Sequence, residues 1–450
     1  MDDPRDQRIA ELEAENAELR KRIAQLEHQV QTFLQRRKRN KSERKLRQGT
    51  PDDRRRQEHR KHPGVFRPEP PPGTPFIEHD VHPQQCHHCG GTDLEATGQF
   101  DDHIVADIPE PKLEWHRYRR HVHRCRTCER TSQGRGDLEL PGAHIGPRAR
   151  LLTCYSRAHL GISLGKTRDL LHDFFGLTVS RAGLLGHLRW GGTLFEPVVE
   201  ELLERLRNSP VVQGDETGWR INGQTAWAWC FRDPKLAIFL IDKHRSRDVL
   251  VRVLGESFAG TLVSDFYAAY NGLDCDKQRC LVHLLRELAK LREEVPWQSV
   301  RAFLQPLITL LQDAIQLGKD RPQVTQAAFA TARQAIWDRF DDLLLNSHST
   351  NRDCVRIWKR LFKHCDELFT FLDDPRVPAD NNGCERDIRS LAAARNDGGV
   401  HRAEWSAAAF ARMKSVIVTS LKNGWRFIHY GLDAVRAKLK GDPLPLPLKN

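Results

Sequence analysis

VVQGDETGWRI at 211–221, TAWAWCFR at 225–232 and LAIFLID at 236–242 are three β-branched or aromatic runs, separated by the turn signals INGQ and DPK. Downstream, SRDVLVRVLGES at 246–257 has helical spacing, TLVSDF at 261–266 reads as a further strand, and KQRCLVH at 277–283 is another strand candidate. Three consecutive strands, a helix and a fourth strand predict a mixed sheet whose later strands run parallel to the first. This is the order of a ribonuclease H-like sheet, although other α/β folds share it.

Within that frame three acids attract attention. Alternation along a strand places Asp215 on one face with Thr217 and Trp219, and places Asp265, at the end of the fourth strand, on one face with Thr261 and Val263. If the two strands are sheet neighbours, the two carboxylates meet at one edge, and catalytic groups in such sheets commonly lie at the carboxyl ends of strands. A third acid comes from NNGCERDIRS at 381–390, where a helix starting after Pro378 and Asp380 puts Asn382, Glu385, Arg386 and Arg389 on one face. Singly, Asp215 reads equally as a turn residue, Asp265 as a helix cap before FYAAYN, and Glu385 as an ion-pair partner of Arg389. Jointly they form a cleft of three repelling carboxylates, which needs cations between them. Two Mg²⁺ or Mn²⁺ ions about 3.5–4 Å apart would relieve the repulsion and clamp the attacking and leaving oxygens of a phosphoryl displacement. Arg386 and Arg389 would then face the scissile phosphate or nearby backbone.

The flanks divide by composition into the following expected boundaries. Residues 209–283 form the first part of the catalytic domain, 284–378 an all-α insertion, and 379–450 its second part with C-terminal helices. Residues 141–208 are helical. There ISLGKTRDLLHDFFGLTVSRAGLLGHLRW offers a helix, a break at Gly176, a cap at Ser180 and a second helix starting at Arg181, which is the order of a helix-turn-helix and of many ordinary helical hairpins.

Residues 76–140 hold Cys86-x-x-Cys89 and Cys125-x-x-Cys128, bracketing HIVADIPEPKLEWHRYRRHVHRC, which reads as extended strand around Pro109 and Pro111. Two such pairs are what tetrahedral thiolate coordination of one structural Zn²⁺ requires. His87 and His88 lie inside the first knuckle and are not taken as ligands. Arg117 and Arg119, between the pairs, are candidate DNA contacts.

Residues 36–75 are basic and then Pro-rich, a linker composition that cannot bury a core. Residues 1–35 carry heptads with Ile9, Asn16, Ile23 and Val30 at one seam position and Leu12, Leu19, Leu26 and Phe33 at the other. That pattern favours a parallel coiled-coil dimer, with a single amphipathic helix as the alternative.

Net charge is +11, with the excess between 36 and 62 and between 116 and 130, which suits a polyanionic partner such as double-stranded DNA. No stretch reaches the roughly 20 apolar residues of a membrane span. MDDPRDQ lacks the basic-then-apolar order of a secretory signal, and eleven cysteines without an export signal argue against a disulfide scaffold. The expected location is the cytosol.

GDETGW, SDFYAAYN, RCLVHLLREL and ADNNGCERDIRS, in this order, resemble the signature blocks of the insertion sequence 66 family of DDE-type transposases. VADIPEPKLEWHRYRRHVHRCRTC resembles the family's zinc-binding segment, and the coiled coil fits as well, so the likeness covers nearly the whole chain. The resemblance implies that Asp215, Asp265 and Glu385 are the catalytic triad and that Cys86, Cys89, Cys125 and Cys128 are the zinc ligands. It also implies helper proteins from the same element and a location in the bacterial cytoplasm, associated with the nucleoid. Cys280-x-x-His283 matches a family block but is left out of the site as a structural pair. Where the family usually shows a Lys or Arg followed by a Gly-Gly-Arg-Ser type sequence, this chain has RNDGGVHRAEWS, with Asp397 and His401 in unexpected places.

The expected fold is thus multidomain α+β: an N-terminal coiled coil, a zinc ribbon-like module, a helical DNA-binding region and a ribonuclease H-like α/β catalytic domain with an all-α insertion. The expected function is cleavage of insertion-sequence ends and their joining to target DNA, by a dimer or higher oligomer. The rivals are a catalytically inactive, dimeric, zinc-containing DNA-binding regulator and a structure-selective nuclease of the same fold.

Overall fold

A computed structural model describes residues 70–295, 297–346, 349–399 and 401–449, so the coiled-coil expectation and nearly all of the linker lie outside the described residues. The chain divides into two units, Met1–Val105 and Ala106–Asn450.

In the first unit the described residues 70–105 carry neither helix nor strand. Its knuckle is closed by the Cys86 N–H donating to Gly91 O at 2.8 Å and the Gly90 N–H donating to Cys86 O at 2.8 Å.

The second unit opens with a short hairpin, β1 (Val122–Arg124) against β2 (Thr131–Gln133). The extended strand expected through 103–125 is therefore largely absent, since only Val122–Arg124 pairs. Pro109 and Pro111 lack the N–H that a ladder needs. Four helices follow: α1 (Pro147–Ala158), α2 (Leu164–Phe175), α3 (Arg181–Leu194) and α4 (Glu196–Arg207). Gly176 ends α2 in the left-handed region (φ +64°), and Ser180 Oγ accepts the Gly183 N–H at 3.1 Å to cap α3.

The sheet comprises β3 (Val211–Ile221), β4 (Gln224–Arg232), β5 (Ala237–Asp242), β6 (Ser257–Ser264) and β7 (Asp274–Arg279), with helix α5 (Arg247–Leu254) between β5 and β6. Spatial order is β5-β4-β3-β6-β7, with β3, β4 and β5 antiparallel in sequence and β6 and β7 parallel to β3. The β3–β4 turn is Asn222-Gly223, both at positive φ, the conformation that matches strand twist in a two-residue hairpin. Two boundaries differ from expectation. Gly255 (φ +92°) ends α5 early, so that β6 begins at Ser257. KQRCLVH is only half strand, because the chain turns at Cys280 and Leu281–His283 open the next helix.

Helices α6 (Leu281–Glu294), α7 (Gln298–Asp320), α8 (Gln326–Asn346), α9 (Arg352–Lys363) and α10 (Thr370–Asp373) then pack round their own core, to which the sheet contributes Val211 and Val263. Within the expected all-α insertion, VRIWKRLFKHCDELFTFL at 355–372 is broken after Lys363, where His364 and Glu367 turn to meet each other. Helices α11 (Asn382–Gly398), α12 (Glu404–Lys422) and α13 (Phe427–Lys440) close the chain on the opposite core, which holds Val212 and Leu262. The alternation of Val211 with Val212 and of Val263 with Leu262 thus assigns one sheet face to each core. β5, an edge strand, has the N–H groups of Ala237 and Phe239 capped by Thr419 Oγ1 at 3.1 Å and Ser415 Oγ at 2.8 Å from α12, which blocks further strand pairing there.

Candidate active site

β3 and β6 pair in the register Val211↔Thr261, Val212↔Leu262 and Gln213↔Val263, and the ladder then stops. Asp215 and Asp265 lie two residues beyond the last pair on each chain, so the common register brings them side by side on the face that carries Val211 and Val263. β3 continues past this point paired only with β4, with Asp215 opposite Cys230. β6 ends at Ser264, just before Asp265.

The third acid is delivered by the start of α11, which is pinned to β3. Gln213 Nε2 donates to Asp380 O at 3.1 Å, and Nδ2 of the fully buried Asn381 donates to Gly214 O at 2.8 Å. Leu281 N–H donates to Ala379 O at 3.0 Å, and Asn381 N–H to Cys280 Sγ at 3.2 Å. Lower on α11, Asp387 pairs with Arg232 of β4 (3.3 Å) and Lys422 of α12 (3.0 Å). These ties hold Glu385 in the first turn, in electrostatic reach of Asp215.

Burial above all, then Glu216, and then Asp265 and Glu385, push the Asp215 carboxyl up to about 7, against a single offsetting N–H from Glu216 to Asp215 Oδ1 at 2.9 Å. Asp265 Oδ1 accepts the Tyr267 N–H at 2.8 Å. Glu385 Oε1 lies 3.5 Å from His283 Nε2 and 3.4 Å from Arg286 Nη1, and its Oε2 lies 3.6 Å from Arg389 Nη2. The chemistry of this donor set, three oxygen acids converging with their mutual repulsion incompletely compensated, fits hard divalent cations.

Several residues that buttress the cleft were not foreseen. Glu216 is buried behind Asp215, where it accepts from Arg245 Nη2 at 2.6 Å and from the Tyr270 hydroxyl. Arg245 is itself held over the rings of Trp227 (4.4 Å) and Tyr267 (3.7 Å). On the other flank, fully buried Arg279 donates to Asp265 O at 2.8 Å, Ser264 Oγ at 3.2 Å and Asn271 Oδ1 at 2.6 Å, and pairs with Glu367 from the inserted helices. Only the adjacency of Glu216 to Asp215 and of Arg279 to Cys280 hinted at these roles.

Of the expected DNA contacts, Arg386 and Arg389 are exposed on α11. Arg386 lines an open cleft of about 610 Å³ with Arg232, Arg376, Gln213 and Asn382, whereas Arg389 points back at Glu385. Arg117, Arg119, Ser180 and Arg181 are all exposed and distant in sequence from the cleft.

The two cysteine knuckles belong to different units. Backbone N–H groups of His88 and then Cys89 lower the Cys86 thiol, and those of Cys128 and then Thr127 bring Cys125 down to about 7. Amides turned toward sulfur favour thiolate, the form that ligates zinc.

Residues 83–129 match the family model described as the zinc-finger binding domain of transposase IS66, and residues 144–409 match that of the transposase IS66 family. Two proteins of Sinorhizobium fredii are also similar. Uncharacterized protein y4jD is 25% identical over 382 residues (75% of this chain, 71% of the relative), and uncharacterized protein y4qI is 24% identical over 385 residues (77% and 70%). With more than half of its length, including all three acids, inside the larger match, the chain belongs to the transposase IS66 family.

Proposed function

We propose that this chain cleaves the ends of an insertion sequence and joins them to target DNA, with Asp215, Asp265 and Glu385 as the catalytic carboxylates. The observation that carries the reading is the shared β3–β6 register that sets two aspartates side by side, with the α11 glutamate raising the proton affinity of one of them. The sheet order, with β6 and β7 parallel to β3 after an antiparallel hairpin, supports a ribonuclease H-like catalytic domain at 209–283 and 379–450, interrupted by the helices of 284–378.

The three acids would hold two Mg²⁺ or Mn²⁺ ions, which would supply charge neutralisation at the phosphate and acidify the attacking water. Water oxygen attacks phosphorus at the element end, the P–O3′ bond breaks, and the 3′-oxygen leaves as a hydroxyl. That hydroxyl then attacks a phosphodiester of the target, displacing a target 3′-oxygen in its turn. Arg386 and Arg389 meet the DNA backbone beside the acids. Glu216 and Arg279 keep Asp215 and Asp265 in place.

The segment at 76–140 is proposed to hold one Zn²⁺ through Cys86, Cys89, Cys125 and Cys128. With the helices of 141–208, it would bring Arg117, Arg119, Ser180 and Arg181 to the element end. Residues 1–35 would pair protomers as a coiled coil, joined by the linker at 36–75, so that two ends are handled together. The reaction would take place in the bacterial cytoplasm at the nucleoid, where helper proteins of the same element would act with it. No described helix is long and apolar enough to cross a membrane.

The test is Asp265→Asn, assayed on DNA carrying the ends that flank the gene. Binding should persist, while Mg²⁺-dependent nicking and strand transfer disappear. Retained cleavage would remove Asp265 from the site. A wild-type protein that binds but never nicks would favour the regulator, and one that nicks without joining would favour the nuclease.

A further inference from the structure

Beside the carboxylate cleft lies a second donor set of different chemistry. Cys280, His283 and Glu385 each present one ligand atom, and these three atoms lie within 4.8 Å of one another. The grouping follows from the turn that ends β7. Cys280 N–H is fixed to Ser264 O at 2.8 Å, its sulfur sits at the head of α6, and His283 follows one helical turn later on the same face. α11 then brings Glu385 Oε1 to 3.5 Å from His283 Nε2. His283 Nδ1 is buried without a hydrogen-bond partner among the described residues, and Cys280 is fully buried.

We propose that Cys280, His283 and Glu385 form a site for a thiophilic divalent cation of the Zn²⁺ class, and that its occupation withdraws Glu385 from the Mg²⁺ site. The proposal rests on the reading of Glu385 as a catalytic carboxylate. One sulfur, one imidazole and one carboxylate are ligands that Zn²⁺ takes and Mg²⁺ does not seek. Tetrahedral ligation with bonds of about 2.0–2.3 Å needs ligand atoms roughly 3.3–3.8 Å apart, so a contraction of about 1 Å, within side-chain rotation, completes three corners. The fourth is left for water.

Arg286 and Arg389, which also face Glu385, are half to three-quarters exposed (53% and 73%) and can turn away. Binding would displace the Cys280 thiol proton to solvent, and the resulting thiolate with the Glu385 carboxylate would balance the ion. Since one carboxylate cannot serve both sites in full, binding of the two metals is antagonistic, and the antagonism is reciprocal.

Full-length protein dialysed against Zn²⁺ should retain one equivalent per chain more than Cys280→Ser or His283→Asn. Cys86→Ser should lose a different equivalent, so the two sites are counted separately. Loaded instead with Co²⁺, a variant with Cys86, Cys89, Cys125 and Cys128 all replaced by Ser should keep a thiolate-to-metal charge-transfer band that the same variant carrying Cys280→Ser lacks. In the cleavage assay, added Zn²⁺ should raise the Mg²⁺ concentration required by wild type about tenfold or more, and that of His283→Asn hardly at all.

Equal zinc content in wild type, Cys280→Ser and His283→Asn overturns the site. So does zinc inhibition that survives both substitutions. Should Cys280→Ser fail to fold, the partly exposed His283→Asn variant decides by the same two readouts. If no preparation nicks DNA in Mg²⁺, it is the transposase reading that falls, while the zinc count still settles whether this site exists.

Discussion

Replacing Asp215 by Asn tests the electrostatics of the cleft without reference to catalysis. In the folded chain, burial and then three neighbouring carboxylates move this acid from an ordinary 3.8 to about 7. For an acid whose folded value is raised, the fold favours the protonated form. The cost of ionisation therefore begins as pH rises past the unfolded value near 4 and is complete above the folded value near 7. At 1.36 kcal/mol per tenfold, the whole displacement corresponds to about 4 kcal/mol, of which about 2–3 kcal/mol accrues between pH 5 and pH 8.

Asparagine keeps the shape and can still accept the Glu216 N–H, but never ionises. In metal-free protein, thermal or urea unfolding should find Asp215→Asn more stable than wild type at pH 8, with the gap shrinking toward pH 5. Mg²⁺ should narrow the gap at pH 8 by stabilising wild type selectively. A variant that is less stable at pH 8, or a Mg²⁺ effect equal in both proteins, would refute the claim that repulsion in this cleft is what the cations relieve.

Two further outcomes follow from buried charges. Lys414 is fully buried with no hydrogen-bond partner among the described residues, and burial brings it down to about 8. Its charged form opposes folding at pH 7, and the cost fades as pH rises from 8 to 10.5, so Lys414→Met should stabilise by about 1–3 kcal/mol at pH 7 and less at pH 10 in urea titrations. Arg279→Met would strip four partners, leaving Glu367 with His364 in place of its guanidinium and the Asp265 carbonyl unheld. Unfolding should show a loss of about 3 kcal/mol, and end cleavage should fall more than DNA binding. Unchanged cleavage would show that the Asp265 turn holds itself.

Most of the sheet was legible in the sequence because the runs at 211–221, 225–232 and 236–242 alternate and are parted by strong turn residues. Sequence failed where one residue type serves two purposes. Leu281 and Val282 are β-branched or aliphatic enough to extend a strand, yet open a helix, because β6 ends at Ser264 and the Leu281 N–H is taken by Ala379 O instead of a strand partner. The 355–372 run has helical spacing throughout and is nonetheless broken after Lys363, where the buried Arg279 draws Glu367, and with it His364, out of helical line.

The sequence by itself determined the local facts: that the runs at 211–221, 225–232 and 236–242 form strands, where Gly176 and Ser180 stop and start helices, which acids exist and how the cysteines are spaced in knuckles. Those follow from propensity, alternation and capping, which act over a few residues. Only tertiary structure decided that the β3–β6 register aligns Asp215 with Asp265, that an orphan-prone asparagine at 381 docks Glu385 on β3, and that Cys280 and His283 stand beside that glutamate rather than apart from it. These are contacts across more than 100 residues of chain in some cases, as between Gly214 and Asn381. Their geometry is set by which faces bury together, a property that no short stretch of sequence carries.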